Sequence, residues 1–585
     1  MPEFRKSMRG TRQFAVAAAA LLLTAFYFAP ATVFLFNASE VSVPLSTVVA
    51  SSWPAQAFLL GTCALVALAG FAARRLAACL LLATATLLYL QGNVLVWDYG
   101  RFDGSDIAWA RYALRGVLEL VLWLGVLAGS TFMRARIFGH VTRVTLVLLL
   151  LEAASLGASL ADGRSFRPAA GSDLDADLFS FSSERNVLFI VLDAFQATAF
   201  EQLRMRDSSI DQRLDGFTYF DDATGVYPTT LMSIPAILSG KTFDNTRPIG
   251  EFMSEVLGAD SLPALLSRHG FATHIVTKPS YCEYFKTSAC IGQSAFLDAE
   301  PRSSQFRDCL QIWDVALFRH VPHFMKRRVY DRHAWLLQRT FAKSEVDGPA
   351  PAPATADGEE MMTPTSAQRA SWAAWATLIA DADGKNDRPT FKFVHLYTSH
   401  SPFVLDEDCQ ALSTKAYRNL PVNYRMVNQC ACALSQLFSI LDRLLELEVL
   451  DETLLIVAAD HGSKTELLPR PLAKKRLPDL NRVLPLLLIK PVGARGALQN
   501  SHAQVSLTDL PRTVADALGL NANLPGIPLL APPADTNRTR VFYDYTWERE
   551  AWDFDYLPRL QEYHIRGPAK VLASWETGRE ILAPE

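Results

Sequence analysis

A chain of 585 residues, half of them hydrophobic, is long enough for several domains and too apolar to read as wholly soluble. Its formal net charge of −4 leaves no basic footprint for nucleic acid, which is excluded as a partner. The apolar excess is concentrated near the N-terminus.

Five segments there, 14–36, 54–73, 76–97, 112–132 and 142–160, each approach the roughly 20 residues that a bilayer requires. The first is too long for the apolar core of a signal peptide, and four more follow it. Arg5, Lys6, Arg9 and Arg12 precede the first segment, Arg74 and Arg75 separate the second and third, and Arg134 and Arg136 lie between the fourth and fifth, with Arg143 at the start of the fifth. The loop 37–53 carries no Lys or Arg, while 98–111 is mixed in charge. Positive residues are retained on the cytoplasmic side. Five spans therefore predict a membrane domain over 1–165, a linker over 166–184, and everything beyond it outside the cytoplasm. Cys63 and Cys79 fall within spans, leaving six cysteines, an even number, in the exported part, which predicts disulfides in an oxidising compartment. Of the 15 pairings that six cysteines allow, only Cys282 with Cys290 is favoured locally; buried free thiols are the alternative.

From about 185 the pattern changes to short apolar runs alternating with helical periodicity, which predicts an α/β domain over 185–585 with a mostly parallel sheet flanked by helices. "NVLFIVLD", 186–193, is a buried strand ending in the carboxylate of Asp193. "VYPTTLMSIPAILSGK", 226–241, places Thr229 and Thr230 between a turn proline and an apolar run. Either a threonine simply caps a helix there, or one is a nucleophile held where helix-end amides stabilise a phosphate. Strands are predicted over 271–278, 391–398, 453–460 and 483–490. The basic residues Arg319, Lys326, Arg327, Arg328, Arg332 and Arg339 within 317–343 suit a solvated helix face or contact with anionic headgroups. The Pro-, Ala- and acid-rich stretch 344–368 has no periodicity and predicts a flexible insertion. Leu434, Leu437, Phe438, Leu441, Leu444 and Leu445 share one helix face, and Ser506 with Asp509 has the spacing of a capping box.

Open α/β sheets bind ligands beyond their strand ends. Asp193, Asp460 with His461 before Gly462, and His400 all lie there; Asp193, Asp460 and His461 with a threonine at a helix start compose a metal site with one missing ligand. Carboxylates with an imidazole suit zinc, or less specifically manganese, better than calcium. A threonine hydroxyl is a weak nucleophile at neutral pH unless coordination to such an ion lowers its pKa. His400 is a candidate to hydrogen-bond a phosphate or protonate a leaving group, or else a structural histidine. Lys241 and His502 are candidate substrate contacts.

In this order, "NVLFIVLDAF", "TTLMSIPAILSG", "HLYTSHSPF", "DETLLIVAADHG" and "SLTDLPRTVADALGL" make 185–525 resemble the alkaline phosphatase and sulfatase superfamily. Within it, the resemblance is to the membrane-anchored phosphoethanolamine and phosphoglycerol transferases of the bacterial envelope. It implies that Thr230, from which Thr-x-x-Ser-x-Pro is in register, is the nucleophile, and that Asp193, Thr230, Asp460 and His461 hold one divalent metal. Asp193 stands where those transferases usually carry Glu. The formylglycine precursor of sulfatases, Cys or Ser followed by Pro and Arg, does not occur here, and Ser463-Lys464-Thr465-Glu466 departs from the continuation typical of phosphoethanolamine transferases. The implied protein is a multi-pass enzyme of the bacterial inner membrane with a periplasmic catalytic domain. It would transfer a phosphoethanolamine or phosphoglycerol head group from a phospholipid donor to an envelope glycan or lipid through a phospho-threonine, or, alternatively, act as a phosphodiesterase or phosphatase with water as acceptor.

Overall fold

The apolar run Asn186–Leu192 forms strand β1 and is buried at every position, as expected of a strand with both sheet faces covered. A computed structural model describes the chain except residues 1, 38–42, 98, 100–106, 108, 162–176, 287, 298–301, 332–333, 342–360, 469–476, 531–537, 546–554, 558 and 585. The chain divides into two units, Met1–Ala170 with Ala299–Asp347, and Gly171–Asp298 with Gly348–Glu585.

In the second unit β1 lies inside an eight-stranded sheet. Its other members are β2 (Thr218–Phe220), β3 (Ala272–Thr277), β4 (Ala289–Gly292), β5 (Thr390–Leu396), β6 (Thr453–Ala458), β7 (Leu487–Lys490) and β8 (Gln499–Ser501). Their spatial order is β8-β2-β7-β6-β1-β5-β3-β4. Only β7 runs antiparallel to its neighbours, so the mostly parallel sheet expected from the sequence is present. Because successive strand residues point to opposite faces, Leu188, Ile190 and Leu192 of β1 join one core, with Met426, Cys430, Leu434 and Leu437 of the helix Val422–Glu446. Val187, Phe189 and Val191 join the other, with Met232, Ile234 and Ile237 of the helix Thr230–Ser239. That helix stops at Gly240, whose φ of 73° is left-handed and whose missing Cβ would stand 3.1 Å from Thr508 O. Ser506 and Asp509 make the expected capping box before the helix Leu510–Ala517.

Among its described residues the first unit has four helices long and apolar enough to cross a membrane: Gly10–Asn37, Phe71–Asn93, Trp109–Phe132 and Arg134–Leu160. The expected span at 54–73 is instead a bent pair, Leu45–Ser51 and Trp53–Ala67, meeting at 51°. Pro54 occupies the second helix's first turn and lacks the N–H that would continue the ladder through Ser52. The first helix widens to a π turn over Thr24–Phe28 just before Pro30, whose missing N–H interrupts the regular ladder.

Three expectations about organisation change. The domain expected to run unbroken from 185 to 585 cedes 299–347 to the first unit, through long-range packing that local periodicity does not carry. There the helix Arg302–His320 donates from Trp313 Nε1 to Val48 O at 2.9 Å and from Arg319 Nε to Gly92 O at 2.6 Å. Of the stretch 344–368 expected to be flexible, 361–368 is built in: Thr365 and Gln368 form the capping box that starts the helix Ser366–Asp381; 344–360 lies outside the described residues, as do the linker 166–176 and Arg332. Of the exported cysteines, Cys282–Cys290 and Cys409–Cys432 are bonded, but Cys309 and Cys430 are free and buried. Cys430 and Cys432 are two apart on one helix and so face opposite ways.

Candidate active site

The ladder registers bring the site together. Val191 of β1 is paired with His395 of β5 and with Ala458 of β6, so two residues further on Asp193 and Asp460 stand level beyond the strand ends. Both are fully buried. Asp460 Oδ1 accepts from Ala194 N at 3.1 Å and His461 N at 3.0 Å, while among the described residues Asp460 Oδ2, 3.4 Å from His461 Nε2, and Asp193 Oδ1 make no hydrogen bond. Two buried carboxylates each with an oxygen lacking a hydrogen bond are costly, and a divalent cation held by them would offset that cost. Asp193, His395 and Asp460 each offer a ligand atom within 4.8 Å of the others.

Thr230 Oγ1 lies 3.2 Å from Asp193 Oδ2 and 3.3 Å from His461 Nε2. His461 Nδ1 is 2.8 Å from Gly462 O, an oxygen that can only accept, so Nδ1 carries a proton and Nε2 is the nitrogen turned toward Thr230. Gly462 is required because a Cβ there would stand 1.9 Å from Asn481 O. Asp193 Oδ2 is also 3.0 Å from His395 Nε2, and Asp193 Oδ1 is 3.9 Å from Nε2 of the partly exposed His400. Burial pushes the Asp193 carboxyl pKa up, but the charge of His400, the hydrogen bond and charge of His395 and the charge of His461 outweigh it. The group sits well below the usual carboxylate range and remains an anion.

The threonine pair differs from a simple cap. Thr229 is the N-cap residue, yet its side chain makes no capping bond and instead meets the hydroxyl of Tyr545. Thr230 is the first helical residue, so the cap and the candidate nucleophile are different residues, and the Thr229 side chain caps none of the first-turn amides, which suit an anion. The Tyr281 hydroxyl donates to Thr230 O at 3.0 Å. Burial, with the charges of Tyr545, Asp460 and Asp193, raises its pKa well above the ordinary phenol value and keeps it a donor.

Asp193, Thr230, Asp460 and His461 thus converge, with His400 at their edge. Lys241 does not join them: its ammonium is held by Asp260 at 2.6 Å and Glu255 at 3.1 Å. His502 is exposed and pairs with Asp221 at 2.7 Å. Sequence reasoning passed over His395, whose only signal is a polar residue at the inner end of the apolar run "FKFVHL", and over Tyr281 and Tyr545, which reach the site from distant segments.

The sulfatase family model matches residues 185–520. The fold is similar to that of a 2-O GAG sulfatase, at 14% identity over 66% of this chain and 81% of that one, with a TM-score of 0.41. It is also similar to a protein in the alkaline phosphatase superfamily from Vibrio parahaemolyticus, at 12% identity over 70% of this chain and 88% of that one, with a TM-score of 0.38. No curated protein matches the chain.

Proposed function

The chain belongs to the sulfatase family, and on that premise we propose that it is a membrane-held phosphotransferase of the bacterial inner membrane, with its catalytic unit in the periplasm. It moves a phosphoethanolamine or phosphoglycerol head group from a phospholipid to an envelope glycan or lipid. The observation that carries this reading is the placement of Thr230 Oγ1 within 3.3 Å of both Asp193 and His461, at the start of a helix whose first amides the Thr229 side chain does not cap. A phospholipid donor accords with the membrane-length helices of the same chain.

Asp193, Asp460, His461 and Thr230 would hold a divalent cation, zinc or manganese, which when bound acidifies the hydroxyl and offsets charge on the phosphoryl oxygens. Thr230 Oγ1 attacks phosphorus and loses its proton; the bond from phosphorus to the glycerol oxygen breaks, and that oxygen leaves protonated as diacylglycerol. His400, partly exposed and facing Asp193 Oδ1, is placed to supply the proton. The acceptor hydroxyl then attacks phosphorus, the bond to Thr230 breaks, and the threonine oxygen regains its proton. His395 holds Asp193 in position through Oδ2, and the first-turn amides bind the phosphoryl oxygens.

The test is incubation of the full-length protein with labelled phosphatidylethanolamine or phosphatidylglycerol. Diacylglycerol should be released and the protein labelled, with the adduct mass on Thr230 naming the head group; Thr230→Ala should do neither. If neither lipid is consumed while soluble phosphodiesters are turned over, the enzyme is a hydrolase and this reading fails.

A further inference from the structure

The helix His323–Val329, within the part of the chain that returns to the first unit, has two unlike sides. Lys326 and Val329 are buried, and His323 faces the helix Ala113–Phe132: its backbone N–H donates to Glu119 Oε2 at 2.7 Å, and a Cβ on Gly116 would stand 2.4 Å from its ring. At 100° per residue, Arg327, Phe324, Arg328 and Met325 follow one another around the opposite arc. Phe324 is 52% exposed and Met325 38%. Both arginines are exposed, and neither guanidinium has an ion-pair partner among the described residues.

The depth at which this helix docks is readable. Ala113–Phe132 carries Arg115 and Glu119 in its first turns and no charged residue from 120 to 132, and Leu118, Val121 and Leu124 along it are exposed. His323 meets it where charge gives way to the apolar run. Trp97, Tyr99, Trp109 and Tyr112 gather there with Phe318 and Tyr330, and aromatic residues favour that level of a bilayer. An arc of Arg-Phe-Arg-Met beside a lipid-facing helix matches anionic headgroups above and acyl chains below.

We propose that the outer face of His323–Val329 lies in the headgroup layer of an anionic phospholipid bilayer, with Phe324 and Met325 below the phosphates and Arg327 and Arg328 paired with them. The inference rests on reading the apolar helices of the first unit as membrane-embedded. It makes this return segment a membrane-surface element rather than a solvated basic face.

The test uses full-length protein in nanodiscs with a fluorescent label at Phe324→Cys or, as a control, at Leu118→Cys; the free cysteines Cys63, Cys79, Cys309 and Cys430 are buried and leave labelling selective. The label at 324 should be quenched by nitroxide-bearing lipid, more strongly in phosphatidylcholine–phosphatidylglycerol mixtures than in phosphatidylcholine alone. Arg327→Glu with Arg328→Glu should lower the preference for phosphatidylglycerol by about tenfold or more, since each basic residue at an anionic surface contributes about fivefold. Arg327→Lys with Arg328→Lys should retain it. Quenching at 118 by lipid but at 324 only by an aqueous quencher overturns the proposal and leaves the membrane reading standing. Lipid quenching at neither position overturns both, and an unchanged lipid preference in the Glu variant overturns the part played by the arginines.

Discussion

Tyr281 donates its hydroxyl to the backbone carbonyl of Thr230 at 3.0 Å, and it does so from beside Cys282, which is bonded to Cys290 of the edge strand β4. The candidate nucleophile is therefore held from behind by a residue that a local disulfide fixes in place. Tyr281→Phe removes this bond, a loss of about 0.5–1.5 kcal/mol. Turnover should fall by up to roughly tenfold, since each 1.4 kcal/mol is a factor of ten, with little change in the KM for lipid. Thr230→Ala should abolish turnover. Steady-state kinetics on both variants, with a melting curve to show that each is folded, checks this; a Tyr281→Phe enzyme of full activity would remove the tyrosine from the site.

The metal site yields a graded expectation. Asp193→Asn, Asp460→Asn and His461→Ala each remove a donor from a small set and should strip the bound ion or nearly so. His395→Ala acts through Asp193, which it holds at 3.0 Å, so affinity should weaken by about 10–100-fold without being lost. Elemental analysis of purified variants, followed by titration with zinc and with manganese, separates the two classes. Equal metal loss in all four would make His395 a ligand; full occupancy in all four would mean that the paired carboxylates hold no ion.

The catalytic frame was legible because β1, β5 and β6 are uninterrupted apolar runs, and such runs fix the strand ends at which Asp193 and Asp460 stand. His395 was hidden by the same burial: in "FKFVHL" it is one residue of an apolar run, and only the pairing with Val191 aims it at Asp193. The partner of Thr229 was hidden for a comparable reason, since the hydroxyl it meets belongs to Tyr545, 316 positions away. Cysteine parity failed because Cys309 packs with Val48 and Ile312 in the first unit while Cys430 lies in the core of the second.

Lys241 was expected at the substrate and is found between two carboxylates, so Lys241→Gln should leave kcat and KM unchanged. Glu255 in this group is held by the Arg247 guanidinium and Lys241, and its pKa falls to about 2. A folded value below the ordinary one near 4.3 means that the stabilisation is present above about pH 4 and is lost as pH falls from there toward 2. The group is well exposed, so solvent screening limits the effect to under about 1 kcal/mol. Acid melting curves of wild type and Glu255→Gln should therefore converge below pH 3 and differ slightly at pH 6, less so in high salt. A large difference, or one that grows on acidification, would contradict this assignment.

The bent pair Leu45–Ser51 and Trp53–Ala67 decides on which side of the membrane the catalytic unit lies. Four long apolar helices alone return the chain to the side on which it began; a fifth crossing by the pair places 185–520 opposite Arg5, Lys6, Arg9 and Arg12. The arginines favour the crossing. Arg74 and Arg75 follow the pair and Arg134 and Arg136 follow Ala113–Phe132, and both groups share the N-terminal side only if the pair spans. The expected arrangement therefore has five crossings. A phosphatase-type reporter fused near Arg74 should be inactive, and one fused after residue 165 active, which also suits the disulfides Cys282–Cys290 and Cys409–Cys432. Activity at Arg74 with silence after 165 would make the pair a re-entrant hairpin, and the lipid donor would then have to be met from the cytoplasmic face.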